Sequence, residues 1–439
     1  MATGPRAALE VWSPLPPQES GVADYVAEQL ETLACRFELT LVVEDPHGID
    51  VSLREQHRVV SPAQSDPAVL RLYHIGNSPL HRFIYSEAIR TAGVVVLHEW
   101  NLHELLLGFA VTAHNFDDYR QTMRREHGER GSIAAETIAS ALGGKHWTSV
   151  FPLNAEILSG ALAVVCLSGS TAAKVAARDP GGRLLHLPHH ADLKSNARTR
   201  DEARARLGLN GNDRVVVMPG LGTSAKALNV ARTAIDAIRP RVSHVVGITV
   251  GGGPAAATSL PADPAWRDLG RVDLETLGDA LLAADVVVAL RFPSRGETSG
   301  VLMRALAGGR ATVISTGSTG DEDLPDGVAA RVSPGPREAL ELGAILEFLL
   351  INNEARHRIE RLAREVARAR PVGALTETLA AFLSEVGRER GALLGRLRAR
   401  TAHRMLLAPR FRNELDAVTS SLGLAHLPSD VFERLARIL

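Results

Sequence analysis

Lysine and cysteine are both scarce in this chain. Of 439 residues only Lys145, Lys174, Lys194 and Lys226 are lysines, so nearly every cation is an arginine; over most of the surface this reads as coding preference. Two cysteines, Cys35 and Cys166, are too few for a disulfide framework or a four-thiolate zinc site. Their apolar neighbours predict buried, inert thiols. Charge of one sign is also lacking: 49 basic residues stand against 50 acidic ones, a net charge of -1. That balance excludes a nucleic-acid partner held by the field of the whole protein, and leaves only local attraction. No run reaches the ~18 apolar residues of a membrane span, and no basic leader followed by an apolar stretch opens the sequence. These absences predict a cytoplasmic protein, soluble or peripheral on the inner face of a membrane.

What is present is an ordinary globular composition, with 45% hydrophobic and 23% charged residues. The length predicts about three domains, or two large ones with an appendage. Short apolar runs bounded by glycine, proline or aspartate predict strands over Leu9 to Trp12, Leu39 to Val43, Gly93 to Leu97 and Ala161 to Leu167. A second group covers Arg214 to Met218, His244 to Val250, Asp285 to Leu290 and Ala311 to Ser315. Helical spacing lies between them, as in Ala23 to Ala34, Ala225 to Ile238 and Ser299 to Ala307. Alternating strands and helices predict an α/β fold of two Rossmann-like, doubly wound parallel sheets facing a cleft. The polar stretch Leu187 to Leu207 separates the two groups. Residues 1–190 form the first domain, with a helical insertion over 102–157. Residues 191–370 form the second, and 371–439 are a helical extension packing back on the first. From Asn353 the chain is expected to be helical, with breaks at Pro371, Pro409 and Pro428.

Four segments could carry chemistry. In the stiff loop Ser13 to Gly21, Ser20 is suited to cap a helix and Gly21 lets a ligand approach its first amides, which favour an anion. An ordinary capped helix explains the same residues. Gly220-Leu221-Gly222-Thr223-Ser224-Ala225-Lys226 follows a strand and fits the G-x-G-x-x-A fingerprint, a weak signal alone. The next strand ends in Gly251-Gly252-Gly253 rather than the ribose-binding acid of nicotinamide enzymes. A glycine turn with Lys226 at the following helix suits a diphosphate instead. The third segment, Arg291 to Gly300, puts Glu297 and then Thr298, Ser299 and Gly300 in a strand-to-helix turn, where open α/β folds bind ligands. A carboxylate that merely complements the helix dipole is the plain alternative. His98 ends a strand and can face a cleft, whereas His74, His81 and His103 read as surface or core residues with no metal-ligand spacing. The pair His189-His190 either lines the cleft or caps a strand.

Taken in order over residues 8 to 350, these segments resemble the GT-B glycosyltransferases of family 4. The resemblance implies a retaining hexosyltransferase with a nucleotide-sugar donor held mainly by the second domain. The acceptor would be a glycan, a lipid-linked molecule or another hydroxyl compound, with no cofactor and no catalytic metal. By position, His98, Lys226 and Glu297 would be catalytic. Ser20, Gly21, Gly222, Gly252, Thr298, Ser299, Gly300 and Arg304 would hold the donor. Arg304 stands at the place given to the second glutamate of the family's E-x7-E motif, the family's arginine shortly before the lysine has no match in Gly220 to Ala225, and Ala227 replaces the common glycine after Lys226. A catalytically degenerate GT-B protein that binds nucleotide or glycan therefore remains the alternative, ahead of a nucleotide-sugar epimerase or an NAD-dependent enzyme.

The arginine-rich segment 388–412 holds eight arginines against one acid, Glu389. Leu393, Leu394, Leu397, Thr401 and Met405 form an apolar stripe. Either the segment lies on anionic lipid near a lipid-linked acceptor, or it packs across the first domain with its arginines outside.

Overall fold

The computed structural model describes residues 6–143, 147–193, 198–220, 227–252, 263 and 265–421, with backbone alone for 402–421. The chain divides into two compact units. Unit 1 comprises Met1–Leu167, Thr171–His186 and Thr376–Leu439; unit 2 comprises Ser168–Ser170 and Leu187–Leu375.

Unit 1 is built on a seven-stranded parallel sheet. Its strands are β1 (Ala7–Trp12), β2 (Phe37–Val42), β3 (Arg58–Val60), β4 (Leu70–Ile75), β5 (Val94–Leu97), β6 (Ala163–Cys166) and β7 (Leu184–His186), in the order β3-β2-β1-β4-β5-β6-β7. Unit 2 holds β8 (Arg214–Pro219), β9 (Val245–Val250), β10 (Trp266–Asp268), β11 (Val286–Ala289), β12 (Ala311–Ser315) and β13 (Ala330–Val332), in the order β10-β9-β8-β11-β12-β13. Every pairing is parallel. Central strands are buried on both faces, which explains their unbroken apolar runs.

In both sheets the chain winds outward on one side of its first strand and then crosses to the other. That places a topological switch between β1 and β4 in unit 1 and between β8 and β11 in unit 2. Open α/β sheets bind ligands outside the carboxyl ends of the strands at such a switch. A buried ion pair fixes the second one from the opposite edge. Asp285, just before β11, accepts from Arg204 at 2.9 Å and from the Val215 amide of β8 at 2.8 Å.

Five strands escaped the sequence reading: β3, β4, β7, β10 and β13. Of these, β4 (Leu-Arg-Leu-Tyr-His-Ile) is buried at every residue, yet Arg71 and His74 break its apolar run. Arg71 is tolerated because Glu10 lies 3.3 Å away, Glu87 2.6 Å away, and the Ser65 hydroxyl accepts at 3.0 Å. The predicted helix Ala23 to Ala34 is two helices, Gly21–Ala27 and Leu30–Arg36. Among the described residues of 102–157 the regular elements are helices, His103–Ala113, Asp117–Ala139, Trp147–Val150 and Ala155–Gly160.

The C-terminal extension ends its preceding helix, Asn353–Arg368, before Pro371 and continues as Val372–Ser421. The expected break at Pro409 does not occur, because that one helix runs through it; Pro428 lies outside the described residues. Cys35 corrects another expectation: it is exposed, on the outer side of helix Leu30–Arg36. Cys166 is buried in β6, and burial pushes its thiol up to about 12.

Candidate active site

In unit 1 the loop after β1 leads to Ser20, whose hydroxyl accepts from the Val22 amide at 3.2 Å and so caps helix Gly21–Ala27. A Cβ built on Gly21 would meet no heavy atom within 4 Å. Packing does not demand glycine there, and the open space beside it leaves the backbone approachable. His98 follows β5 one strand from the switch. Its amide donates to the Ile75 carbonyl at the end of β4 at 2.9 Å, so the sheet register itself sets the position of its ring.

The ring of His98 rests on two neighbours. Its Nε2 lies 3.0 Å from His74 Nδ1, and Tyr25 meets it edge-on with ring centroids 5.1 Å apart. His74 Nε2 has no hydrogen-bond partner among the described residues, and burial, reinforced by the nearby His81, pushes His74 down to about 3. His74 is therefore neutral near pH 7, able to hold His98 in one tautomer without adding charge. His81 in turn places Nδ1 3.0 Å from the His74 carbonyl, and burial lowers it to about 4. The sequence alone reads these two histidines as surface or core residues; only recognition of β4 aligns His74 with His98.

In unit 2 a small crevice lies at the carboxyl ends of β8 and β11, lined among others by Pro219, Leu228, Leu290, Arg291, Ser299 and Val301. Beside it Glu297 is 9% exposed. One carboxylate oxygen accepts from Arg291 Nη1 at 2.7 Å, the other from the Arg295 amide at 2.6 Å. These two bonds fix the carboxylate and leave acceptor positions unused, since a carboxylate offers about four. Ser299 caps helix Gly300–Ala307 through the Leu302 amide at 3.3 Å, with half-buried Thr298 preceding it. A Cβ on Gly300 would lie 3.5 Å from His189 Nε2, so the connector histidine sits against the helix start.

The glycine turns after β8 and β9 come together. Gly251 has φ +123°, and a Cβ there would fall 2.6 Å from the Gly220 carbonyl carbon; Gly252 has φ +63°. Only glycine fits that approach without strain. Gly222 and Lys226 lie outside the described residues.

The motif count needs correcting: seven residues, 298–304, intervene before the second position of E-x7-E, which is therefore Ala305 and not Arg304, and Ala305 is wholly buried in helix Gly300–Ala307. Arg304 is itself buried, with Nη1 3.4 Å from the Asp192 carbonyl of the connector.

No protein-family model matches the chain, and no curated protein matches it. Solved structures do. The chain is similar to HepE of Anabaena in complex with UDP-glucose, with a TM-score of 0.54 at 17% identity over 86% of this chain and 99% of that one. It is similar to WaaG, a glycosyltransferase involved in lipopolysaccharide biosynthesis, with a TM-score of 0.56 at 13% identity over 85% and 99%. The sucrose-phosphate synthase of Thermosynechococcus elongatus gives 0.57 at 14% identity over 87% and 99%. Likeness at these identities establishes the fold: two Rossmann-like domains of the GT-B type, here with a C-terminal helical extension.

Proposed function

We propose that the protein is a retaining glycosyltransferase that moves a hexose from a nucleotide-sugar donor to a hydroxyl of a glycan or lipid-linked acceptor. The observation that carries this reading is the fixed Glu297 carboxylate beside a crevice at the switch between β8 and β11. The fold likeness supports it, since HepE was crystallised with UDP-glucose and WaaG is described as a glycosyltransferase.

Glycosyl transfer must stabilise a positive, oxocarbenium-like carbon and a departing nucleoside diphosphate together. Glu297 is suited to the donor sugar's hydroxyls, with its unused acceptor positions. The amides at the start of helix Gly300–Ala307 can donate to the diphosphate, joined by Lys226. Preorganised charge of this kind often contributes more to catalysis than any other single effect. His98, oriented by the neutral His74, is assigned to the donor sugar and its developing charge, with Gly21 approaching the diphosphate. In same-face attack the leaving phosphate takes the acceptor's proton, so no protein base is assigned. The nucleotide sugar is a co-substrate, and no cofactor or metal is given a role.

Cytoplasmic placement, free or at a membrane surface, belongs to the same proposal; no helix among the described residues is long and apolar enough to cross a membrane. A second reading, a nucleotide-binding relative without turnover, is favoured by one observation: neither Arg304 nor Ala305 can act as the motif's second carboxylate.

A melting panel with UDP-, GDP-, ADP- and dTDP-sugars tests the reading. Ligand at 100 times Kd adds roughly 2.7 kcal/mol, or about 5–11 °C for a unit of this size. A shift confined to one nucleoside is expected, lost in Lys226→Ala and Glu297→Ala. No shift with any donor overturns the proposal, and a shift without turnover selects the second reading.

A further inference from the structure

Away from both switches, unit 1 has a crevice between helix Val372–Ser421 and the β6–β7 side of the sheet, with about 690 Å³ of empty space, part of it open to solvent. Its walls are apolar: Val164 of β6 and Leu184 of β7 on one side, Leu393 and Leu397 on the other. Leu393 is 6% exposed. Leu393 and Leu397 of the arginine-rich segment's apolar stripe therefore face this slot.

Four arginines stand around this slot, and they are not equivalent. Arg183 is neutralised by Glu385 at 3.3 Å and Glu389 at 3.0 Å, and Arg400 by Asp179 at 2.6 Å. Arg178 has only the neutral Asn154 oxygen at 2.5 Å and lies over the Trp100 ring, while Arg396 has no hydrogen-bond or ion-pair partner among the described residues. Two guanidiniums without a carboxylate thus border an apolar slot. Guanidinium favours carboxylate or phosphate oxygens, which it can engage in pairs.

We infer that this crevice binds a single-chain anionic amphiphile, its alkyl chain between β6–β7 and the C-terminal helix and its carboxylate or phosphate at Arg178 and Arg396. Charge complementarity selects the head group, and the narrow two-walled slot selects one chain over a membrane surface. The inference does not depend on glycosyl transfer.

Calorimetric titration of the full chain with octanoate, decanoate and dodecanoate, each below its micelle concentration, tests it. One-to-one binding is expected, tightening roughly fourfold per added methylene while the chain is still entering. Dodecyl phosphate should bind and decyltrimethylammonium should not. The Arg178→Ala/Arg396→Ala pair should weaken dodecanoate at least tenfold, and Leu397→Glu should abolish binding with the melting temperature retained. Absence of binding, insensitivity to chain length, or equal binding of the cationic amphiphile overturns the inference. So does association with anionic phosphatidylglycerol vesicles alone, or a dimer by sedimentation that hides the crevice; the length series needs no variant to decide.

Discussion

Replacing Arg71 by methionine removes the cation that makes β4 tolerable inside the sheet. Arg71 and Glu10 side chains are each 3% exposed, so the substitution leaves a buried carboxylate whose remaining donors are Trp12 Nε1 at 3.2 Å and the Asp66 amide at 2.6 Å. Breaking a buried pair in this way costs about 3–5 kcal/mol. In a body of 150–250 residues each kcal/mol moves Tm by about 2–4 °C, so a fall of roughly 6–20 °C is expected by scanning calorimetry at pH 7. The acid side gives an independent check. Burial works against the charge of Glu87, but hydrogen bonds from Thr91 and Arg71 outweigh it and hold the carboxyl below the usual range. A depressed carboxyl contributes stability above its unfolded value of about 4.3, lost as pH falls through the folded one. The gap between wild type and Arg71→Met should therefore narrow below about pH 4. Adding Glu10→Gln to Arg71→Met should recover part of the loss. A Tm change under 2 °C at pH 7, or a gap that widens in acid, would refute the reasoning.

Glu297→Gln keeps shape but loses charge-assisted hydrogen bonds worth about 1.5–3 kcal/mol; kcat/KM for the donor should fall roughly 10- to 200-fold, and unchanged steady-state kinetics would remove Glu297 from the site. His74 and His81 are neutral when folded and protonate when unfolded below about pH 6.5, so stability is full above that pH and falls towards their folded values of about 3 and 4. On unfolding at pH 5 the two histidines should together bind about two protons, reduced to about one in His74→Asn, as read from the slope of stability against pH; an unchanged slope contradicts the burial argument. Gly251→Ala must move a backbone 2.6 Å away and hold a strained φ, costing at least about 1–3 kcal/mol in urea denaturation; wild-type stability would show that the two glycine turns are not in contact.

The central strands were legible because burial on both faces forces continuous apolar runs, as in Val94 to Leu97 and Val286 to Ala289. Glu297, Ser299 and His98 were legible because strand ends in a doubly wound sheet are where polar residues can face a ligand. β4 was not: its arginine is acceptable only because Glu10 and Glu87 come from 61 residues before and 16 after it, a neutralisation no local pattern reveals. The role of His74 was hidden with it, since its contact with His98 exists only once β4 lies beside β5. Arg291 was visible as a neighbour of Glu297, but not as its partner. Cys35 misled because apolar sequence neighbours do not say which side of a short helix faces inward.

The most direct test of the proposed activity is release of nucleoside diphosphate from a nucleotide-sugar donor, followed together with the anomeric configuration of the product. Release by wild type with retained configuration, lost in Lys226→Ala and strongly reduced in Glu297→Gln at unchanged melting temperature, is the predicted result. Donor binding without release under every acceptor tried, including water, or release unaffected by both substitutions, would contradict it.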